Sequence, residues 1–200
     1  MSAAKVPELP SVILASSSPR RAQLLREMEV NFHVIPAQVE ESKSEHLTPG
    51  ELCLLNAYHK ARAVAKDRPD DLVLGADTIV RLGARIYGKP ATVDEAHRML
   101  AELQGRAHEV LTGVCLLHWR THEQRLFAET TEVTFHRLTE LEIHQYLTRI
   151  DPLDKAGAYA IQEYGDMIVE RVEGSVSNVI GLPVERVMKE LSAWPGVTRS

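Results

Sequence analysis

Val12-Ile13-Leu14-Ala15-Ser16-Ser17-Ser18-Pro19-Arg20-Arg21 changes character twice in a short span. The apolar run reads as a strand and the serines as a tight loop. From Pro19 on, the pattern is helical, with Leu24, Leu25 and Met28 on one face. Ser18 takes the N-cap position, and Pro19 fits N1, where a missing N–H costs nothing. The free N–H groups of that first turn, at the positive end of the helix dipole, suit an anion and phosphate above all. Arg20 and Arg21 add charge and fork-like donors there. The alternative is a well-capped helix with solvated arginines.

Outward from this unit, strand and helix patterns alternate. Val30 to Ile35 reads as a strand, and Glu40-Glu41-Ser42-Lys43-Ser44-Glu45 as an acidic surface loop. Thr48-Pro49-Gly50-Glu51 is a capping box with proline at N1, opening a helix to about Lys66 in which Asn56 and Lys60 share a face. Leu72-Val73-Leu74-Gly75-Ala76 is apolar throughout, as a doubly covered strand requires, with Asp77 and Thr78 expected at its end. Ile79-Val80 leads to a Gly83-Ala84 turn, Arg85 to Tyr87 returns as a hairpin, and Gly88-Lys89-Pro90 closes it. Thr92 and Thr139 open two further capping boxes. Glu109 to Leu117 and Leu126 to Phe135 read as a pair of long strands joined around Thr121-His122-Glu123. Lys155 to Gly174 reads as a glycine-punctuated strand region, Ser175 to Asn178 as a loop, and Pro183 to about Trp194 as the last helix. The expected fold is α/β: a mixed central sheet with flanking helices, in two lobes around a cleft. Residues 1–10 are expected to be a frayed tail, 11–195 a single domain and 196–200 a C-terminal tail.

The chain has 200 residues and a net charge of −5, which argues against a duplex-binding protein. Cys53 and Cys115 are too few for a disulfide framework. No stretch approaches the ~18 apolar residues of a membrane span, and no leader-like segment opens the chain, so a cytoplasmic location is expected. Gly83 to Lys89 imitates a P-loop, but Pro90 stands where Ser or Thr must follow. His118 and His122 flank a polar turn without a third metal ligand. Asp77 is either a turn aspartate or a carboxylate at the ligand end of a buried strand.

Taken together, these segments resemble the Maf family of nucleoside triphosphate pyrophosphatases. The likeness runs from about Val12 to Val187 through Leu14 to Arg21, Gly75 to Thr78, Gly88 to Pro90, His108 to Val114, Asp154 to Gln162 and Asn178 to Pro183. It implies an ITPase-like fold around a nucleotide-binding cleft, and cleavage of a triphosphate between its α and β phosphates with Mg²⁺ or Mn²⁺. Asp77, Glu40, Lys60 and Lys89 would be catalytic, with Glu40 and Asp77 holding the metal. Ser16, Arg20, Arg21, Thr78 and Gln162 would bind the substrate, dTTP or UTP. The resemblance also implies roles in nucleotide-pool sanitation or cell-division arrest, the alternative being a regulator of septum formation that binds nucleotide without cleaving it. Neither nucleic acid nor membrane is an expected partner, and a homodimer is left open. Where the family usually has glycine after Gln162, this chain has Glu163-Tyr164.

Overall fold

The apolar run Val12–Leu14 forms strand β1, which lies between two parallel neighbours, β2 (Phe32–Val34) and β3 (Leu72–Leu82). The computed structural model describes residues 9–195. Helix α1 (Pro19–Glu27) links β1 to β2, and α2 (Pro49–Asp67) precedes β3. Beyond β3 every pairing is antiparallel: the short hairpin strand β4 (Arg85–Tyr87), then β5 (Ala107–His118), β6 (Glu123–Phe135) and β7 (Val169–Glu173). The sheet therefore runs β2-β1-β3-β5-β6-β7, with β4 also paired to β3. It is mixed, as expected. Helices α3 (Val93–Leu103), α4 (Glu140–Leu147), α5 (Val176–Ile180) and α6 (Val184–Ser192) complete the described chain.

Among the described residues, three large apolar clusters and a small fourth one of Cys53, Ile79 and Leu111 hang on the long central strands. One face of the β1–β3–β5 end packs Leu14, Leu74 and Leu116 with Leu25 of α1 and Leu191 of α6. The opposite face packs Ile13, Val73 and Cys115 against Ala57, Ala61 and Val64 of α2. This alternation is the period-2 geometry of strands covered on both sides. At the other end, Val80, Val110 and Phe135 pack against Leu100 and Leu103 of α3 and Ile143 and Tyr146 of α4. Two lobes thus share β3, β5 and β6.

Helix α2 comes unusually close to the sheet. A Cβ at Gly75 would lie 2.2 Å from the Ala57 carbonyl oxygen, and one at Gly113 would lie 2.5 Å from the Cys53 carbonyl carbon. These are backbone atoms that no rotamer change can remove, so the two glycines set the height of α2 above β3 and β5. Thr48 and Glu51 make a full capping box that fixes where α2 starts, and Thr139 with Glu142 does the same for α4. At α3 only half the box forms, because Glu95 accepts from Ala91 N–H at 2.7 Å instead of from the cap residue.

Several expectations need correction. Asp77 is not at the end of a strand but inside the eleven-residue β3, because that strand changes neighbours along one edge and continues. The region from Lys155 to Gly174 is mostly two short 3₁₀ turns, Ala156–Ala158 and Gly165–Met167, with strand only at Val169–Glu173. Ser175 does not open a loop: it caps α5, its hydroxyl accepting from Asn178 N–H at 3.2 Å. Leu9 packs on the first core rather than fraying, while residues 1–8 and 196–200 lie outside the described residues. Among the described residues, no helix is long and apolar enough to cross a membrane.

Candidate active site

The outer edge of β3 carries β1 at Leu72–Leu74 and β4 at Val80–Leu82, with β5 paired along the inner edge from Leu72 to Arg81. Between those two partners the edge is bare of strand, and a cleft of about 1030 Å³ opens there. Asp77 and Thr78 sit in the gap. Diverging neighbours along a central strand are where α/β sheets admit ligands.

Asp77 is buried, and each of its oxygens takes a donor from α2. Lys60 Nζ donates to Oδ1 at 2.7 Å and Asn56 Nδ2 to Oδ2 at 3.1 Å. The two donors are one helical turn apart, so the close seat of α2 over Gly75 and Gly113 brings both within reach. Lys60 also donates to Glu41 Oε1 at 2.6 Å, joining two carboxylates through one ammonium. Burial works to raise the Glu41 pKa, but the hydrogen bond and charge of Lys60, with Lys89 further away, hold it below its usual range.

Glu40, expected in this role, is exposed and does not line the cleft, whereas Glu41 does. Adjacent side chains of a segment that is not helical leave the backbone in different directions, so only one of the pair faces α2. Nothing in the sequence distinguishes them.

Arg21 is buried, and three of its N–H groups are committed. Nε donates to the Gly181 carbonyl at 2.8 Å, Nη1 to Ser16 Oγ at 3.0 Å and Nη2 to Thr78 Oγ1 at 3.0 Å. Every acceptor is neutral. Burial pulls the pKa of this guanidinium below its ordinary value, opposed by the nearby Asp77 carboxylate. Of the five N–H groups of an arginine, two remain. Thr78 is also committed: it accepts from Arg21 and lies 2.9 Å from Thr112 Oγ1, which donates to the Asn178 carbonyl at 3.2 Å. The Thr78 hydroxyl also lies 3.5 Å from the Gly181 carbonyl, the same acceptor that Arg21 Nε uses, so Thr78 acts as a support for Arg21. Ser18 occupies the N-cap of α1 without a side-chain cap bond, so its hydroxyl does not consume the first-turn N–H groups.

Arg20 lines the cleft, but its fork grips Asp154, with Nη1 at 2.7 Å from Oδ2 and Nη2 at 3.0 Å from the carbonyl. Asp154 is shared with the buried Lys155 (2.8 Å), which also pairs with Glu163 at 3.3 Å. The Glu163 departure thus supplies a counter-charge to a lysine that lines the cleft. Burial would raise the Asp154 pKa, yet the Lys155 and Arg20 hydrogen bonds bring it down overall. Lys89 and Gln162 are exposed on the cleft walls. Eight of the nine expected site residues therefore meet in one cleft, Glu40 being the exception. Glu41, Asn56, Asp154 and Lys155 join them without having been assigned a role from the sequence. Asn56 carried a signal in its place one turn from Lys60, and Asp154 and Lys155 in the segment Asp154 to Gln162 that bears the family likeness.

No group of three or more His, Cys, Asp or Glu able to hold a metal occurs among the described residues. Glu41 and Asp77, bridged by the Lys60 ammonium, offer the oxygen chemistry that a hard divalent cation takes, since one or two carboxylates completed by substrate phosphates and water are a usual donor set for such a cation.

The sequence profile of the Maf-like proteins matches residues 11–194. A protein of Akkermansia muciniphila named dTTP/UTP pyrophosphatase is 47% identical over 184 residues, covering 92% of this chain and 96% of its own length. One of Bacillus cereus with the same name is 44% identical over 183 residues, covering 92% and 95%. Among solved structures, the Staphylococcus aureus Ham1 protein superposes with a TM-score of 0.53 at 16% identity, over 92% of this chain and 98% of that one. This last likeness concerns the fold alone.

Proposed function

The chain belongs to the Maf-like proteins, and from that premise we propose that it is a metal-dependent nucleoside triphosphate pyrophosphatase acting on dTTP and UTP. The observation that carries the reading is the meeting, in one cleft, of a paired acid cluster with a buried guanidinium whose own partners are all neutral. A buried cation without a carboxylate in contact favours an anionic ligand, and the two N–H groups left on Arg21 suit phosphate oxygens. The open first turn of α1 offers further donors.

In this reading the triphosphate lies between α1 and the Asp77 gap, with Lys89 and Lys60 offsetting its charge. Asp77 orients water toward the α-phosphorus and takes its proton at a carboxylate oxygen as the bond to the β-phosphate bridging oxygen breaks. Pyrophosphate leaves, and the monophosphate remains. A divalent cation held by Glu41 and Asp77 would add charge neutralisation on the polyphosphate. Positioning and electrostatics of this kind dominate phosphoryl-transfer catalysis. Gln162 can offer a donor and an acceptor to the O4 and N3–H edge of uracil or thymine. All these groups come from one chain. The substrates are cytoplasmic metabolites, and we place the enzyme there.

The test is a nucleotide panel assayed for pyrophosphate with Mg²⁺ or Mn²⁺ and with a chelator. The expected result is release from dTTP and UTP, with equimolar monophosphate, that the chelator abolishes. Orthophosphate as the first product, or GTP cleaved as fast as UTP, would overturn the assignment.

A further inference from the structure

We infer that Asn56 is a positioning residue: its carboxamide aims the Asp77 carboxylate and moors the acidic segment that carries Glu41. Asn56 is buried within α2, yet its side chain makes no contact typical of a core polar group serving its own helix. It reaches two separate parts of the chain. Nδ2 donates to Asp77 Oδ2 at 3.1 Å and to the Ser42 carbonyl at 3.2 Å, and Oδ1 accepts from Ser42 N–H at 2.8 Å. Both N–H groups of the amide are used, and the partners themselves fix which end is nitrogen, because a carboxylate and a carbonyl can only accept.

Ser42 is bonded through both its N–H and its C=O, as a strand neighbour would be. This matters because residues 36–47 contain no helix or strand. A segment without its own ladder is held by what it touches, and here Asn56 holds its backbone while Lys60 holds the Glu41 side chain at 2.6 Å. The two α2 residues therefore divide the work. Lys60 joins Asp77 to Glu41 by charge, and Asn56 joins Asp77 to the backbone of Ser42, the residue after Glu41, by direction. An amide adds no further positive charge beside the acid pair that Lys60 already bridges, and it fixes the carboxylate plane that a second lysine would only attract. Groups that orient ligating carboxylates in this way typically contribute 10–100-fold in activity or metal affinity.

This inference rests on the pyrophosphatase reading, and its test separates the two. Wild type, Asn56→Leu and Asn56→Asp are compared at pH 8 for kcat and KM with UTP, for Mn²⁺ binding followed by electron paramagnetic resonance, and for amide exchange at Ser42. Leucine is nearly isosteric and removes all three bonds. Aspartate keeps the acceptor for Ser42 N–H but offers no donor to Asp77, and serves as the second variant if leucine fails to fold. The expected result is a fall in kcat of roughly 10–100-fold in both variants, with KM changed far less, and weaker Mn²⁺ binding in Asn56→Leu. Ser42 exchange should quicken in Asn56→Leu and stay nearer wild type in Asn56→Asp. Folded variants whose kcat lies within about twofold of wild type, or an Asn56→Leu protein with unchanged Ser42 exchange and Mn²⁺ binding, overturn the role of Asn56 and leave the enzyme reading intact. A wild type that binds UTP without cleaving it overturns the enzyme reading, and any catalytic role for Asn56 with it.

Discussion

Asp77 keeps a free lone pair on each oxygen after Lys60 and Asn56 have donated, which is what a group that must hold a water and take its proton requires. Asn at this position keeps the shape and loses the proton acceptor. Asp77→Asn should therefore bind UTP with little change, measured by calorimetry, while kcat for pyrophosphate release falls by roughly 10²–10⁴-fold. Near-normal turnover would remove Asp77 from the mechanism. In the sequence, Asp77, Lys60 and Arg21 stand out together only through the family resemblance; by itself Asp77 reads equally as a turn aspartate. The choice of Glu41 over Glu40 was not legible, since two adjacent glutamates in an irregular loop are equivalent until the fold decides which one faces Lys60. Likewise, the arginine doublet read as two phosphate forks, but burial divides their work. Arg20 is spent on Asp154, while Arg21 braces Ser16 and Thr78 and retains charge for a ligand.

Helix α2 delivers both donors to Asp77, and its height above the sheet is set by Gly75 and Gly113. The Gly75→Ala methyl would collide with main-chain atoms of Ala57 and Ala61, so the helix must lift or the strand must bend. We expect this variant to lose about 1–3 kcal/mol in chemical denaturation and to lose activity as well, because Lys60 and Asn56 ride on the displaced helix. Gly50→Ala in the first turn of the same helix meets nothing within 4 Å and should hold or raise stability. Equal behaviour of the two variants would mean that the close seat of α2 is unimportant. The capping boxes of α2 and α4 were readable from the sequence because their partners are three residues apart. The continuation of β3 past Asp77 was not, because it depends on β1 and β4 sharing one edge, a fact about strands far apart in the chain.

At the scale of the molecule, the second core encloses His108, 2% exposed, with Nε2 2.9 Å from Tyr159 Oη and the ring edge-on to Phe135. Burial lowers its pKa from 6.5 to about 4. The folded state thus refuses a proton that the unfolded chain accepts below 6.5, so this contribution to stability is present above 6.5 and is lost as pH falls toward 4. The loss amounts to roughly 1.4 kcal/mol per pH unit across that window. Thermal midpoints measured from pH 7 to 4 should fall steeply for wild type and less steeply for His108→Gln, and parallel curves would refute the assignment. What the sequence by itself determined is the set of local units: strand runs, capped helices and the motifs that carry the family likeness, all encoded within a few residues by periodicity and hydrogen-bond partners close in the chain. What only the tertiary structure decided is which side chains share the cleft. The order of strands, the bare edge of β3 and the seat of α2 arise from packing between distant segments, and proximity of that kind leaves no mark on neighbouring positions in the chain.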